Sequence, residues 1–229
     1  MYFISIHGSY NKLEVALFRD TTCLKVVAKH DIKASSHLIP IIDQVLIDHN
    51  LSLADLTFIA VDKGPGAFTS LRVTIATVNG IAFAYHIPLL SVSGLDALWQ
   101  EVLTFNDPAV GASTVVCLLN AYNEDVYYLI GKAGATSNVG CRKIEVVCAD
   151  LRSLGDGHPF IFVGDGVRIY RNVIDQILGA QVQLASPFLS LPSAQQVGLI
   201  ARNMWVAGQR GDLQVMPLYL KTQLFAVKK

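Results

Sequence analysis

From Val73 to Leu95 the chain runs for 23 residues without Asp, Glu, Lys or Arg. A stretch this apolar has to be covered, because leaving it in water costs about 25 cal/mol per Å² of apolar surface. The cover can be a membrane, the protein's own core or another chain. A membrane helix needs about 20 uninterrupted apolar residues. Here Asn79, Gly80 and His86, then Ile87-Pro88, break the run, and residues 89–92 read as a strand. The segment is therefore expected to be a helix, a turn and a strand of a globular protein. The opening Met1-Tyr2-Phe3-Ile4-Ser5-Ile6 has no basic flank and no small-residue cleavage pattern, so no signal peptide is expected.

Composition narrows the function classes. Only 16% of the 229 residues are charged and 52% are apolar, which excludes intrinsic disorder, a state that needs low hydrophobicity and high net charge. Eighteen basic residues balance eighteen acidic ones, so no long-range field draws the chain to nucleic acid or anionic lipid. Cys23, Cys117, Cys141 and Cys148 lack C-x-x-C spacing and read as reduced thiols of a cytoplasmic protein. With so few charges, part of the apolar surface is expected to face another protein.

The first hundred residues read as strands at Tyr2–His7, Leu13–Phe18 and Cys23–Lys29, then alternating helices and strands. Ser36 is expected to cap a helix to about His49, Leu56–Val61 is a strand, and a glycine-rich turn leads into a helix over Phe68–Tyr85. Pro88 stops it, Leu89–Val92 is a strand, and Ser93 opens a helix through Leu103. The order βββαβαβα predicts an α/β fold, a mixed sheet with helices on its faces. Asn106–Gly111 is the expected boundary, giving domains 1–108 and 109–229, with the tail returning to the first. In the second half, strands are expected at Thr114–Leu119, Val126–Ile130, Lys143–Val147 and Phe160–Val163, and helices at Val167–Leu178 and Ser193–Val206.

The strongest local signal is Gly64-Pro65-Gly66-Ala67-Phe68-Thr69-Ser70-Leu71-Arg72. It lacks the lysine of a P-loop, and Thr69 stands where G-x-G-x-x-G has its last glycine. Chemistry alone leaves two readings: free amides at a helix N-terminus facing an anion, or a tight turn capped by Thr69 or Ser70. Gly64, Pro65, Gly66, Phe68, Thr69 and Arg72 are the candidate binding loop. Histidines at 7, 30, 37, 49, 86 and 158 include no pair four apart, so no metal site is expected on a helix face. No G-x-S-x-G elbow is present. Asp165, between Gly164 and Gly166, is a catalytic acid, a turn former or the cap of the next helix.

Gly64 to Arg72 closely resembles the G-P-G-S-F-T-G-L-R signature of the TsaB (YeaZ) family. Ser36–Asp43 is similar to its H-S-E-x-L-L-P-x-I-D stretch, Ile75–Ala82 to A-T-A-K-G-L-A, and Val92–Leu98 to V-S-S-L-E-A-L. Val163–Gly166, Pro192–Ala194 and Pro217–Lys221 also fit, in the same order. The resemblance implies a duplicated actin-like/ribonuclease-H-like architecture and a non-catalytic subunit of the machinery that makes threonylcarbamoyladenosine in tRNA. It implies TsaD and TsaE as partners, TsaC-type enzymes as the source of the adenylate intermediate, a homodimer when alone, and tRNA only through the complex. Two departures stand out: His7-Gly8 replaces Asp-Thr, and Asn120-Ala121-Tyr122 replaces Asp-Ala-Arg. An imidazole does not substitute for a carboxylate on a hard cation, so no cofactor is expected. The alternative is an ATP-dependent small-molecule kinase or ATPase on the same fold.

Two apolar helices either need a partner or are sandwiched between the sheet and the C-terminal tail, and chemistry alone leaves both open. In the helix after the Gly-Pro-Gly turn, Arg72, Ala76, Gly80 and Ala84 recur every four residues, and the last three form a small-residue stripe on which another helix packs closely. In the preceding helix Leu38, Ile41 and Val45 lie on one side and Ile39, Ile42 and Leu46 on another. The resemblance implies pairing through both helices. The expected interface is His37, Leu38, Ile41, Ile42, Val45, Arg72, Ala76, Gly80 and Ala84.

Overall fold

The computed structural model describes residues 1–105, 110, 113–132, 135, 138–154 and 159–221. The chain divides into two units: Met1–Thr104 with Leu191–Leu218, and Phe105–Ser190 with Tyr219–Lys229. The expected boundary at Asn106–Gly111 falls, apart from Val110, outside the described residues. The whole stretch from Leu191 to Leu218, a helix included, belongs to the first unit. That corrects a second domain running unbroken from 109 to its tail.

In the first unit β1 (Tyr2–Ser9), β2 (Lys12–Arg19), β3 (Thr22–His30), β4 (Leu56–Asp62) and β5 (Leu89–Val92) form one sheet in the order β3-β2-β1-β4-β5. β1 runs antiparallel to β2 and parallel to β4, and β4 runs parallel to β5. Side chains alternate along each strand, so each face collects its own core. One face takes Ile4, Ile6, Val15 and Leu17 against α1 (Ala34–Ile47) and α2 (Phe68–Tyr85). The other stacks Phe3 on Phe18 and Phe58, with centroids 4.8 and 4.4 Å apart, beneath Trp205. That face is covered by α3 (Gly94–Leu103) and α7 (Ala194–Val206).

The second unit repeats the plan. β6 (Thr114–Asn120), β7 (Asp125–Gly131), β8 (Asn138–Lys143), β9 (Phe160–Val163) and β10 (Val182–Leu184) lie in the order β10-β9-β6-β7-β8. Its helices are α4 (Ile144–Ser153), α5 (Asp165–Ile169) and α6 (Arg171–Leu178).

Three local expectations are corrected. Lys143–Val147 is not a strand. β8 ends at Lys143 and α4 begins there, because Ile144, Val147, Cys148 and Leu151 recur at helical spacing and bury one face. Val167–Leu178 is two helices meeting at Tyr170, whose φ of −107° and ψ of 22° are not helical. Ser36 is not the cap of α1. The helix starts at Ala34 after Lys33, and the Ser36 hydroxyl donates back to the Lys33 carbonyl.

Candidate functional site

β4 delivers the chain to the Gly-Pro-Gly turn at its carboxyl end. Gly64 sits at φ +99°, open to glycine and strained for other residues. A Cβ on Gly66 would come within 2.0 Å of the Ser9 hydroxyl, which accepts from the Ala67 amide at 2.9 Å. The turn is thereby sewn to β1, and Lys63 N donates to Val92 O while Gly94 N donates to Gly64 O. Pro65 is buried and Thr69 is exposed. Neither Thr69 nor Ser70 caps α2: its N-cap is Ala67, without a side-chain hydrogen bond, and the Ser70 hydroxyl donates to Ala67 O. The Arg72 guanidinium lies 3.5 Å over the Phe68 ring, a cation–π contact that extends the arginine along the helix.

α2 turns Leu71, Thr74, Ile75, Val78 and Ala82 inward. Arg72, Ala76, Gly80 and Ala84 all lie on the exposed side, with Phe83 76% exposed beside them. A Cβ on Gly80 would meet nothing within 4 Å. α1 behaves differently. Leu38, Ile41, Ile42 and Val45, expected at an interface, are buried in the chain's own core together with Leu46. Only His37 of the expected residues on this helix is exposed, and the large apolar side chains that the helix presents outward are Ile39 and Ile47. Sequence spacing alone could not separate these faces, since apolar residues occupy two sides of α1 and only the position of the sheet selects one.

A buried pair lies at the strand ends beside the turn. His7 Nδ1 and Asp62 Oδ2 are 2.7 Å apart with both side chains out of water. Asp62 Oδ1 accepts from Gly64 N at 2.8 Å, and a Cβ on Gly94 would press on the same carboxylate at 2.8 Å. The two departures at positions 7 and 8 thus have local counterparts. His7 takes a carboxylate partner from β4, and Gly8 admits Thr74, whose hydroxyl donates to Gly8 O at 2.9 Å and would lie 2.2 Å from a Cβ there. The signal that could have exposed the pair is the register: β1 and β4 are parallel neighbours paired up to Ile6 and Val61, so the next residues, His7 and Asp62, adjoin.

Next to this pair, Glu14 Oε2 accepts from Lys12 at 2.7 Å and from the Ala194 amide at 2.8 Å, holding the N-terminus of α7. Ser5 donates to Ala194 O, and Ser193 donates to Glu101. Burial raises the Glu101 carboxyl above its ordinary range. These are structural contacts of a returning helix.

In the second unit Asp165 is the first residue of α5. Its Oδ1 accepts from Asn120 N at 3.0 Å, and burial pushes its carboxyl up to about 6. Asn120 Oδ1 in turn accepts from Tyr122 N and from the Tyr170 hydroxyl. Asp165 is not the cap of α5, whose N-cap is Gly164 without a side-chain hydrogen bond; its carboxylate instead ties the helix start to the end of β6. Among the described residues no group of three or more His, Cys, Asp and Glu is placed to hold a metal, and His158 lies outside them. Cys23, Cys117, Cys141 and Cys148 form no disulfide. No described helix is long and apolar enough to cross a membrane.

The family model of TsaD, tRNA N6-adenosine threonylcarbamoyltransferase, matches residues 30–224. The chain is 28% identical to the tRNA threonylcarbamoyladenosine biosynthesis protein TsaB of Escherichia coli, over 98% of this chain and 96% of that protein. It is 26% identical to the protein of the same name from Haemophilus influenzae, over 83% of this chain and 80% of that one. Among solved structures, YeaZ from Pseudomonas aeruginosa superposes with a TM-score of 0.74 at 23% identity, covering 96% of this chain and all of the other. The fold is the duplicated actin-like α/β architecture. Matched by the TsaD model across most of its length and by TsaB proteins from end to end, the chain belongs to that family and, within it, to TsaB/YeaZ.

Proposed function

We propose that the chain works in tRNA threonylcarbamoyladenosine biosynthesis as a subunit without chemistry of its own, docking the exposed face of α2 onto TsaD. Gly80 carries the reading. A glycine inside a helix costs about 1 kcal/mol relative to alanine, and among the described residues nothing beyond its own helix turn comes within 4 Å of where its Cβ would be. Its small size therefore serves no packing contact among them. A second helix laid on Ala76, Gly80 and Ala84 uses it, because small residues let backbones approach and multiply dispersion contacts.

The docked subunit acts by binding one conformation of TsaD better than another, which shifts TsaD's population toward it. TsaE joins the assembly, tRNA enters only through it, and the free chain pairs with itself over the same face in the cytoplasm. No residue is assigned to catalysis. The kinase or ATPase reading is disfavoured near the end of the first strand, where His7 stands in place of an acid and the neighbouring Asp62 carboxylate of β4 is already taken by His7 and Gly64 N.

Titration of TsaD with the chain tests this. Ala76→Arg is expected to leave the thermal midpoint in place, since Ala76 is exposed, and to weaken the complex by about tenfold or more. Unchanged affinity overturns the reading. ATP with magnesium is expected to give no binding heat with the isolated chain; stoichiometric binding would favour the kinase. In reconstitution with TsaC, TsaD, TsaE and tRNA, omitting the chain is expected to abolish most of the modified adenosine.

A further inference from the structure

The segment after α7 runs back alongside α2 on three anchors. At one end Leu89 N donates to Asp212 O at 2.7 Å and Asp212 N to Leu89 O at 3.1 Å. Gly211, at φ +72°, allows this crossing, since a Cβ there would lie 2.5 Å from Leu89 O. At the other end Leu218 N donates to Lys63 O at 2.8 Å, in the turn before α2. Between them, Asn79 Nδ2 donates to Val215 O at 3.0 Å, and Asn79 Oδ1 accepts from Val215 N at 2.9 Å.

The middle anchor has a physical reason. A helix uses its own backbone N–H and C=O groups internally, so it offers an extended neighbour none of them. A side-chain amide carries a donor and an acceptor arranged like a peptide group. Asn79 therefore pairs with Val215 as a strand residue would. With Val215 turned into the core, alternation along the chain sends its neighbour Met216 outward, 67% exposed. Leu213, at the bend that follows Asp212, is 48% exposed. One helical turn beyond Asn79 lies the exposed Phe83.

Resting on the docking reading above, we propose that Asn79 is a positioning residue: it clasps residues 213–218 to α2, so that TsaD packs on Leu213 and Met216 together with Ala76, Gly80 and Phe83. The charge pattern selects a protein surface, and the docking reading makes it that of TsaD. Neither α2 beyond Arg72 nor the segment from Leu213 to Leu220 holds an acidic or basic residue. A nucleic acid or charged peptide finds no counter-charge there, whereas adjoining exposed apolar side chains suit an apolar protein surface.

The test uses the full chain and purified TsaD, with calorimetric titration and amide hydrogen exchange on Met216→Asp, Asn79→Ala and Ala76→Arg. Met216→Asp is expected to raise Kd about tenfold at an unchanged thermal midpoint. Asn79→Ala is expected to raise it several-fold and to speed exchange of the Val215 amide. Wild-type affinity in both, with Ala76→Arg still blocking, overturns the clasp and leaves the docking reading standing. Wild-type affinity in all three overturns both. Loss of self-association alone, with TsaD binding intact, makes the occupant a second copy and also overturns the proposal. Should Asn79→Ala not fold, Met216→Asp decides, because its side chain is two-thirds exposed.

Discussion

The two units build the same sheet and finish it with different chemistry. Each has its first strand between an antiparallel second and a parallel fourth, in matching order. Near the end of the first strand stands His7 in one unit and Asn120 in the other. An acid follows at the carboxyl end of the neighbouring parallel strand: Asp62 at the end of β4, Asp165 just beyond β9. Asp62 faces an imidazole and a backbone amide. Asp165 has only amide donors, which do not offset its burial, and its carboxyl is lifted to about 6. One topology thus places an acid in two similar positions, while the groups that face it differ. The comparison also separates fold from function, because neither acid is accompanied by a metal-ligating cluster among the described residues.

The harshest way to break the comparison is Asp62→Ala. It leaves His7 buried without its partner at Nδ1, and removing one member of a buried pair costs about 3 kcal/mol or more. Denaturant unfolding is expected to show that loss; a cost under about 1 kcal/mol would mean the pair supports nothing. Next comes Asp165→Asn. The wild-type carboxyl titrates near 6 when folded, against an ordinary value of 3.8, so the folded state binds more protons between those pH values. Stability is therefore expected to fall as pH rises from about 4 to about 6 and to level off above. The difference of about two units corresponds to about 3 kcal/mol at neutral pH. In Asp165→Asn that fall should vanish and the neutral protein should be more stable; an unaltered pH profile would show that Asp165 is not its source. The smallest effect is expected from Asn120→Ala, which removes the acceptor for Tyr122 N and the Tyr170 hydroxyl. About 1–2 kcal/mol should be lost in chemical denaturation, with α2 and its affinity for TsaD untouched.

How much was legible depends on whether a signal was local. α2 and β5 begin and end where the sequence reading puts them, because a glycine-rich turn and Pro88 are breakers that act without tertiary help. Lys143–Val147 was misread because Ile144, Val146 and Val147 favour strands one by one. Burial of Ile144, Val147, Cys148 and Leu151 on one side outweighs that propensity. β8 went unseen since Asn138-Val139-Gly140-Cys141-Arg142-Lys143 lacks alternation. Its Gly140 accommodates Tyr128, whose hydroxyl would lie 2.6 Å from a Cβ there.

The candidate face divides the same way. The lack of charge on α2 beyond Arg72 and the four-residue recurrence of Arg72, Ala76, Gly80 and Ala84 are properties of one helix, so the sequence alone determined them. It also determined the βββαβαβα order and, through spaced motifs, the family. Only the tertiary structure decided that Leu38, Ile41, Ile42 and Val45 turn inward, that His7 meets Asp62 across 55 positions, and that Asn79 holds Val215 across 136. Local order follows from neighbours a few bonds away. Which side of an apolar helix is left bare, and which polar groups meet, depends on strands and segments that are distant along the chain and adjoin only after it has folded.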